Sequence, residues 1–404
     1  MRKLFIFVAT LLLALGCLNI TSFADDGLII VESSDLKIVI NGEKSDYTDT
    51  PLLVNNRTML PLREVLVNLG VQNDDEHIIW NGEDQSVTIV AEDTTVVLFI
   101  GSTTAYVNEE EVVLDVAPIL YEKNWRSYIP ARFVSEALGK KVAWDGIYRT
   151  VLISSNESFN EVYDILLKSG EAMADIKKMK FIMDLDMDMS SSTENAAVTM
   201  DFDGEMDLPN DKSHLNMTMD MTTTGTEMSF PISMAMEYYE ENDIAYANVN
   251  MFGMDTGWTK SDVEDETVYV EADMFGSFGA NEVMASGLVV AESDDEGTIV
   301  LQGSAIMQAL INQSIISSMT ETEEGATMAV DDFLLEMGID KTTYEVKYFN
   351  FDMTAALTDT DGTTLTMEMS ESMTLSDLNG DFEIVIPQEV IDEAEAAAEA
   401  EQPQ

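Results

Sequence analysis

Met183-Asp184-Leu185-Asp186-Met187-Asp188-Met189 alternates an apolar residue with an aspartate at every step. Successive side chains of a strand point to opposite faces, so this stretch predicts a β-strand with one apolar and one acidic face. The alternation returns at Met200-Asp201-Phe202-Asp203, over Leu215 to Met221, at Ile232-Ser233-Met234-Ala235-Met236 and at Leu365-Thr366-Met367-Glu368-Met369. Together these segments predict a long antiparallel sheet with one wet face. Of 27 methionines, 25 lie after residue 158, so flexible thioethers make up most of the apolar face. Such side chains fill irregular space and adapt to varied partners, whereas a face built only to pack would favour branched residues. Met183, Met187, Met200, Phe202, Met217, Met219, Met234 and Met236 are therefore the candidate lining of a ligand cavity above ~300 Å³. The alternative for the same residues is an ordinary filled core.

Around these strands the periodicity predicts a helix from about 158 to 178 and helical stretches over 304–319 and 328–338. Hairpin strands are expected over 345–358 and 363–375, turning at Asp361-Gly362, with a last strand Phe382–Ile386 stopped by Pro387. The Ala/Glu-rich tail, 392–404, reads as a frayed helix or as disordered.

Upstream the chain repeats itself. Arg57-Thr58-Met59-Leu60-Pro61-Leu62-Arg63, a helical pattern to Leu69-Gly70, Trp80-Asn81-Gly82 and Ser86 to Val90 recur in order as Arg126-Ser127-Tyr128-Ile129-Pro130-Ala131-Arg132, a helix to Leu138-Gly139, Trp144-Asp145-Gly146 and Thr150 to Ile153. Matches at several independent places indicate internal duplication. Each proline belongs near a helix start, where its missing N–H costs nothing, and each glycine just past a helix end. With an extended segment before each copy, the unit reads β, β, α, β, β. Arg63 and Arg132 are read as structural cations reaching groups near their helix starts, and Trp80 and Trp144 as core or turn-packing residues rather than carbohydrate platforms.

These repeated residues resemble the copper amine oxidase N-terminal-like, or stalk, domain of secreted bacterial proteins, over about residues 35–155. The resemblance implies a surface or spacer role, since in the oxidases this domain stands apart from the catalytic one. The later order of helix, acidic-apolar strands, helices, hairpin and closing Ile384-Val385-Ile386-Pro387 is similar to the half-barrel fold of bacterial lipoprotein carriers and related lipid-binding envelope proteins. That similarity implies a curved sheet wrapped round helices and an apolar space for acyl chains. The expected fold class is thus α+β: a duplicated ββαββ N-terminal module (30–156), then a curved antiparallel β half-barrel packed on helices (158–391).

The chain begins with Arg2 and Lys3, an apolar run Leu4 to Leu15, and Ser22-Phe23-Ala24, the layout of a secretory signal cleaved after Ala24. Cys17, the lone cysteine, is either lost with that signal or a lipidation site. No later run is long enough for a membrane span. A net charge of -56 disfavours nucleic acid as a partner. The acids lie mostly in the second half, 53 of 76 after residue 157, where they keep a β protein soluble or gather divalent cations weakly.

Chemistry is constrained mainly by what is missing. A copper amine oxidase needs three histidine ligands, and this chain has only His77, in an acidic turn, and His214, expected in a polar loop. Inward-facing methionines are poorly placed for Cu(I). Asp359 to Gly362 and Asp377 to Asp381 lack full calcium-loop spacing and suit turns. No nucleophile elbow, metalloprotease helix, Walker loop or dinucleotide fingerprint occurs. The expectation is a secreted or cell-surface, non-catalytic protein without a cofactor that binds a lipid or other apolar ligand. The alternative is a structural or adhesive envelope protein whose duplicated module contacts the cell wall or partner proteins.

Overall fold

The computed structural model describes residues 29–146, 149–191, 195–224, 231–263, 281–304, 327–358 and 363–400. The leader with Cys17, the helix expected over 304–319 past its first residue, and the Asp361-Gly362 turn lie outside the described residues. The chain divides into two compact units: residues 1–163 with 281–289 and 303–306, and residues 164–280, 290–302 and 307–404.

The first unit holds β1 (Ile30–Glu32), β2 (Lys37–Ile40), β3 (Glu43–Lys44), β4 (Leu52–Val54), β5 (Arg57–Pro61), α1 (Leu62–Asn68), β6 (Ile78–Asn81), β7 (Ser86–Ala91), β8 (Thr94–Phe99), β9 (Thr104–Val107), β10 (Glu110–Val113), β11 (Ile119–Tyr121), β12 (Arg126–Pro130), α2 (Ala131–Ala137), β13 (Lys140–Asp145) and β14 (Thr150–Ser155). Three sheets result, ordered β1-β4-β5-β12-β11, β10-β9-β8-β7-β6 and β13-β14-β2-β3. The duplication is explicit in the geometry. β5 and β12 share one burial pattern, exposed at the arginine and buried over the last three residues, and each leads into a seven-residue helix. The prolines sit at the helix starts, as N-caps, with φ of -55° and -61°. Gly70 (φ 93°) and Gly139 (φ 71°) close the helices in the left-handed conformation, their N–H groups donating to Val67 and Glu136 carbonyls.

β5 and β12 pair antiparallel with Leu60 opposite Ile129, Met59 opposite Pro130 and Pro61 opposite Tyr128. Leu60 and Ile129 are equivalent residues of the two copies, so a local two-fold axis passes between them. Val65, Leu66, Ile89, Ile129 and Val134 are wholly buried in the core beneath both helices. After α3 (Asn156–Ala174), the short α4 (Glu282–Gly287) also belongs to this unit, with Asn281 Oδ1 accepting from the Met284 N–H and Val283 packed on Val39, Ala143 and Leu152.

The second unit is a curled half-barrel sheet. Its strands are β15 (Lys178–Ser190), β16 (Asn195–Asp207), β17 (Lys212–Thr224), β18 (Ile232–Glu241), β19 (Ile244–Met251), β20 (Met254–Asp255), β21 (Thr259–Asp262), β22 (Val289–Ala291), β23 (Thr298–Gly303), β24 (Thr327–Asp340), β25 (Val346–Thr358) and β26 (Thr364–Ser376). The order β20-β19-β18-β17-β16-β15-β26-β25-β24-β23-β22 sets β15 between two antiparallel wings, and β21 pairs β19. Curvature comes from identifiable places. The β24–β25 ladder shifts register between Val330 and Asp332, where Asp331 is the extra residue of β24, and between Gly338 and Ile339, where Lys347 is the extra residue of β25, each bending the bulged strand. Gly338 and Gly204 face Tyr348 and Phe181 across the ladder, and the aromatic rings occupy the space a Cβ would need.

Several expectations are corrected. Residues 328–338 belong to strand β24, not to a helix. The irregularity near Asp331 interrupts period two, so buried Val330, Phe333 and Met337 fall at i, i+3 and i+7 and imitate a helical face. Phe382–Ile386 forms no strand, because its carbonyls turn to lysines: Lys178 Nζ donates to Phe382 O (3.0 Å) and Lys212 Nζ to Ile384 O (3.4 Å). The tail is not disordered through 392–400. It continues α5 (Gln388–Ala400), whose Val390 and Ala394 are buried with Tyr239, Tyr246 and Trp258. His214 lies within β17 rather than in a loop.

Candidate functional site

The strand registers gather the apolar residues of the second unit into rows that cross the sheet. One row reads Met337, Phe349, Met373, Met183, Phe202, Met217, Met236, Val249. The next reads Leu335, Phe351, Glu371, Leu185, Met200, Met219, Met234, Met251. A third reads Phe333, Met353, Met369, Met187, Val198, Met221, Ile232. All eight residues nominated for the ligand cavity thus share one face, in adjacent rows. The opposite face carries Asp184, Asp186, Asp188, Asp201, Asp203 and Asp220, all exposed.

Burial is graded along these rows. On the β24–β26 wing Leu335 and Met337 are wholly buried, and Phe333, Phe349, Phe351, Met353, Met369 and Met373 nearly so. On the β16–β18 wing Met200, Phe202, Met217, Met219, Met234 and Met236 are only half-buried. The nominated residues cover β15 and the half-buried wing but none of the buried one, although its hairpin is expected from periodicity and Met353, Met369 and Met373 show the same alternation. The nomination also omits Glu371, the carboxyl that stands on the apolar face between Phe351 and Leu185, where burial pushes it up to about 7. Its parity with Met369 and Met373 was the available signal.

Two open cavities, about 570 and 530 Å³, lie on the first unit, and neither is lined by the eight sheet residues. Trp80 and Trp144 are not core residues, being 51% and 41% exposed. They do pack on turns: each indole Nε1 lies 3.6 or 3.4 Å from where a Cβ on Gly82 or Gly146 would stand. Arg63 donates to the side-chain carbonyl of Asn73 (2.6 Å), beyond the end of α1 rather than near its start, and Arg132 is exposed.

The histidines make local contacts. His77 Nδ1 lies 2.7 Å from Asp74 Oδ1, and His214 stacks on Tyr239 at 4.2 Å between centroids, with Nε2 3.3 Å from Glu237. Burial, then the neighbouring Glu237 carboxylate, pushes the Tyr239 hydroxyl up to about 12. Among the described residues no group of three or more His, Cys, Asp or Glu side chains is arranged to hold a metal. No described helix is long and apolar enough to cross a membrane. Asp377–Asp381 is a turn, with the Gly380 N–H donating to Asp377 O. Asp359–Gly362 lies outside the described residues.

Comparison with known proteins gives two family matches. Residues 39–153 match the copper amine oxidase N-terminal domain. Residues 161–395 match a family of unknown function, DUF6612. No curated protein matches the chain. Among solved structures, LprF from Mycobacterium bovis is 12% identical, with a TM-score of 0.30, covering 56% of this chain and 97% of its own. Lipovitellin, from a structure of lipid-protein interactions, is 7% identical with a TM-score of 0.25, covering 52% of this chain and 26% of its own. A beta-barrel-like DUF1849 protein from Brucella abortus is 8% identical with a TM-score of 0.21, covering 50% of this chain and 99% of its own. Likenesses at these scores carry no argument about a ligand.

Proposed function

The chain belongs to DUF6612, a family of unknown function, and from its geometry we propose that the second unit is a non-catalytic carrier that holds a lipid or other apolar molecule against its methionine wing. The observation that carries this reading is the burial gradient. The first two rows begin in close-packed core at Met337 and Leu335 and run to methionines that remain half-buried, Met217 and Met236 in one and Met200, Met219 and Met234 in the other. Apolar surface gains about 25 cal/mol for each Å² withdrawn from water, so an apolar ligand stabilises this wing on binding. Met183, Met187, Met200, Phe202, Met217, Met219, Met234 and Met236 form the contact face, and their flexible side chains suit a ligand of variable shape. Glu371, at the boundary between the two wings, offers a hydrogen-bonding partner to the polar end of an amphipathic ligand.

The same reading places the protein outside the cytoplasm. It rests there on the basic, apolar and small-residue order of residues 2–24. The non-catalytic part is supported by the match to the oxidase N-terminal domain and not to a catalytic one. The test is native mass spectrometry and solvent extraction of the purified full chain, followed by titration with a fluorescent fatty acid. A co-purifying apolar species, or uptake of the fatty acid that M219E and M234E abolish, is expected. Neither a bound species nor uptake would reject the reading.

A further inference from the structure

We propose that the first unit carries a glycan-binding groove, built on Trp80 and Trp125, that takes an uncharged polysaccharide. The 530 Å³ groove is lined by both indoles together with Asp49, Arg63, Glu64 and Arg126. The tryptophans are 51% and 70% exposed, so large apolar rings meet solvent beside charged groups. That combination matches a pyranose chain, whose C–H faces stack on aromatic rings while its hydroxyls need donors and acceptors. The polar walls are held in place before any sugar arrives. Arg63 Nη1 donates to Asn73 Oδ1 (2.6 Å), Asn124 Nδ2 to Asp49 Oδ1 (3.0 Å) and the Thr48 N–H to Glu64 Oε2 (2.8 Å), while Arg126 Nε stands 3.4 Å from Asp49. Arg126 is thus paired with a carboxylate, while Arg63 bonds a neutral amide. The chain charge of -56 selects against polyanionic glycans.

The duplication supplies an independent argument. In the first copy the β4–β5 hairpin turns through Asn55-Asn56, at φ 49° and 61°, a residue type suited to left-handed backbone. In the second copy the β11–β12 loop is longer, Glu122 to Trp125, and the residue before the repeated arginine is Trp125 at φ 55°. The Trp125 N–H still closes the turn on Tyr121 O (2.8 Å). A bulky side chain is a poor choice for that conformation, and its ring is mostly in solvent, so neither backbone nor core explains it. The copies agree where packing requires it and part here, where the side chain faces the groove.

The test uses the full chain, with intrinsic tryptophan fluorescence and calorimetry against chitohexaose, cellohexaose and mannohexaose, and with heparin as the polyanion. Saturable binding to at least one uncharged sugar, weakened about tenfold or more by W125N and by W80A, is expected. W125N should also fold at least as stably as the parent chain, because asparagine tolerates the left-handed turn. A residue held only for structure would instead lose stability. No binding to any of the sugars, binding that W125N leaves unchanged, or preference for heparin would each overturn the proposal. The calorimetric comparison of the parent chain with W80A and W125N does not depend on what the methionine face holds, whereas the fluorescence also reports Trp258 of the second unit.

Discussion

Glu371 makes the sharpest statement at the scale of a single residue. Its carboxyl lies among Phe351, Leu185 and the flanking methionines, and burial lifts it from 4.5 to about 7. Between those values the folded chain keeps the proton that the unfolded chain releases, so the stability of the fold falls as pH rises through the window. The penalty is absent below about 4.5, complete above 7, and worth roughly 3 kcal/mol at about 1.4 kcal/mol per pH unit. E371Q should therefore melt higher than the parent at pH 8 and with it at pH 4. Melting curves that stay parallel across pH would exclude the assignment. Alternation alone put Met183, Met187, Met200 and their partners on one face because parity is local information. It could not say which of them are buried, since that depends on β15 pairing with β26 across nearly two hundred residues.

Strand β24 shows where an element escapes a reading by period. A β-bulge adds one residue to one strand, and that residue shifts every apolar position beyond it. The long strands β15 to β18 contain no such interruption and were legible, as were the helices that follow Pro61 and Pro130. Phe382–Ile386 failed for the converse reason, having strand-like residues whose carbonyls are taken by Lys178 and Lys212. The end of β24 that faces the bulge in β25 also invites a direct test. A methyl group on Gly338 would meet the ring of Tyr348, so G338A should lower stability by about 1–3 kcal/mol, as overpacking does. Urea unfolding of the variant measures this, and an unchanged midpoint would show that the ring moves aside freely.

At the scale of the molecule the charge dominates. On the outer face of the second unit Asp184 stands opposite Asp201 and Asp188 opposite Glu368, so like charges face each other across strands. Elsewhere hydroxyls and amides interleave with the acids: Thr218 Oγ1 donates to Asp201 (3.0 Å) and Asn216 Nδ2 to Asp203 (3.0 Å). Salt shortens the reach of such repulsion, from ~30 Å at 0.01 M to ~3 Å at 1 M. Melting temperature should accordingly rise with NaCl, against the weakening expected where surface ion pairs dominate. Calcium at matched ionic strength should add nothing further unless the acids gather divalent cations, which the same titration decides.

The two-fold axis between Leu60 and Ile129 has a different consequence. A pairing centred on two equivalent residues, with Met59 opposite Pro130 and Tyr128 opposite Pro61, is the isologous interface of a symmetric dimer, here carried within one chain. The tether between the copies removes the concentration dependence such a dimer would have. It also frees the halves to diverge, which two identical subunits could not do, so that one hairpin keeps its asparagines and the other acquires Trp125.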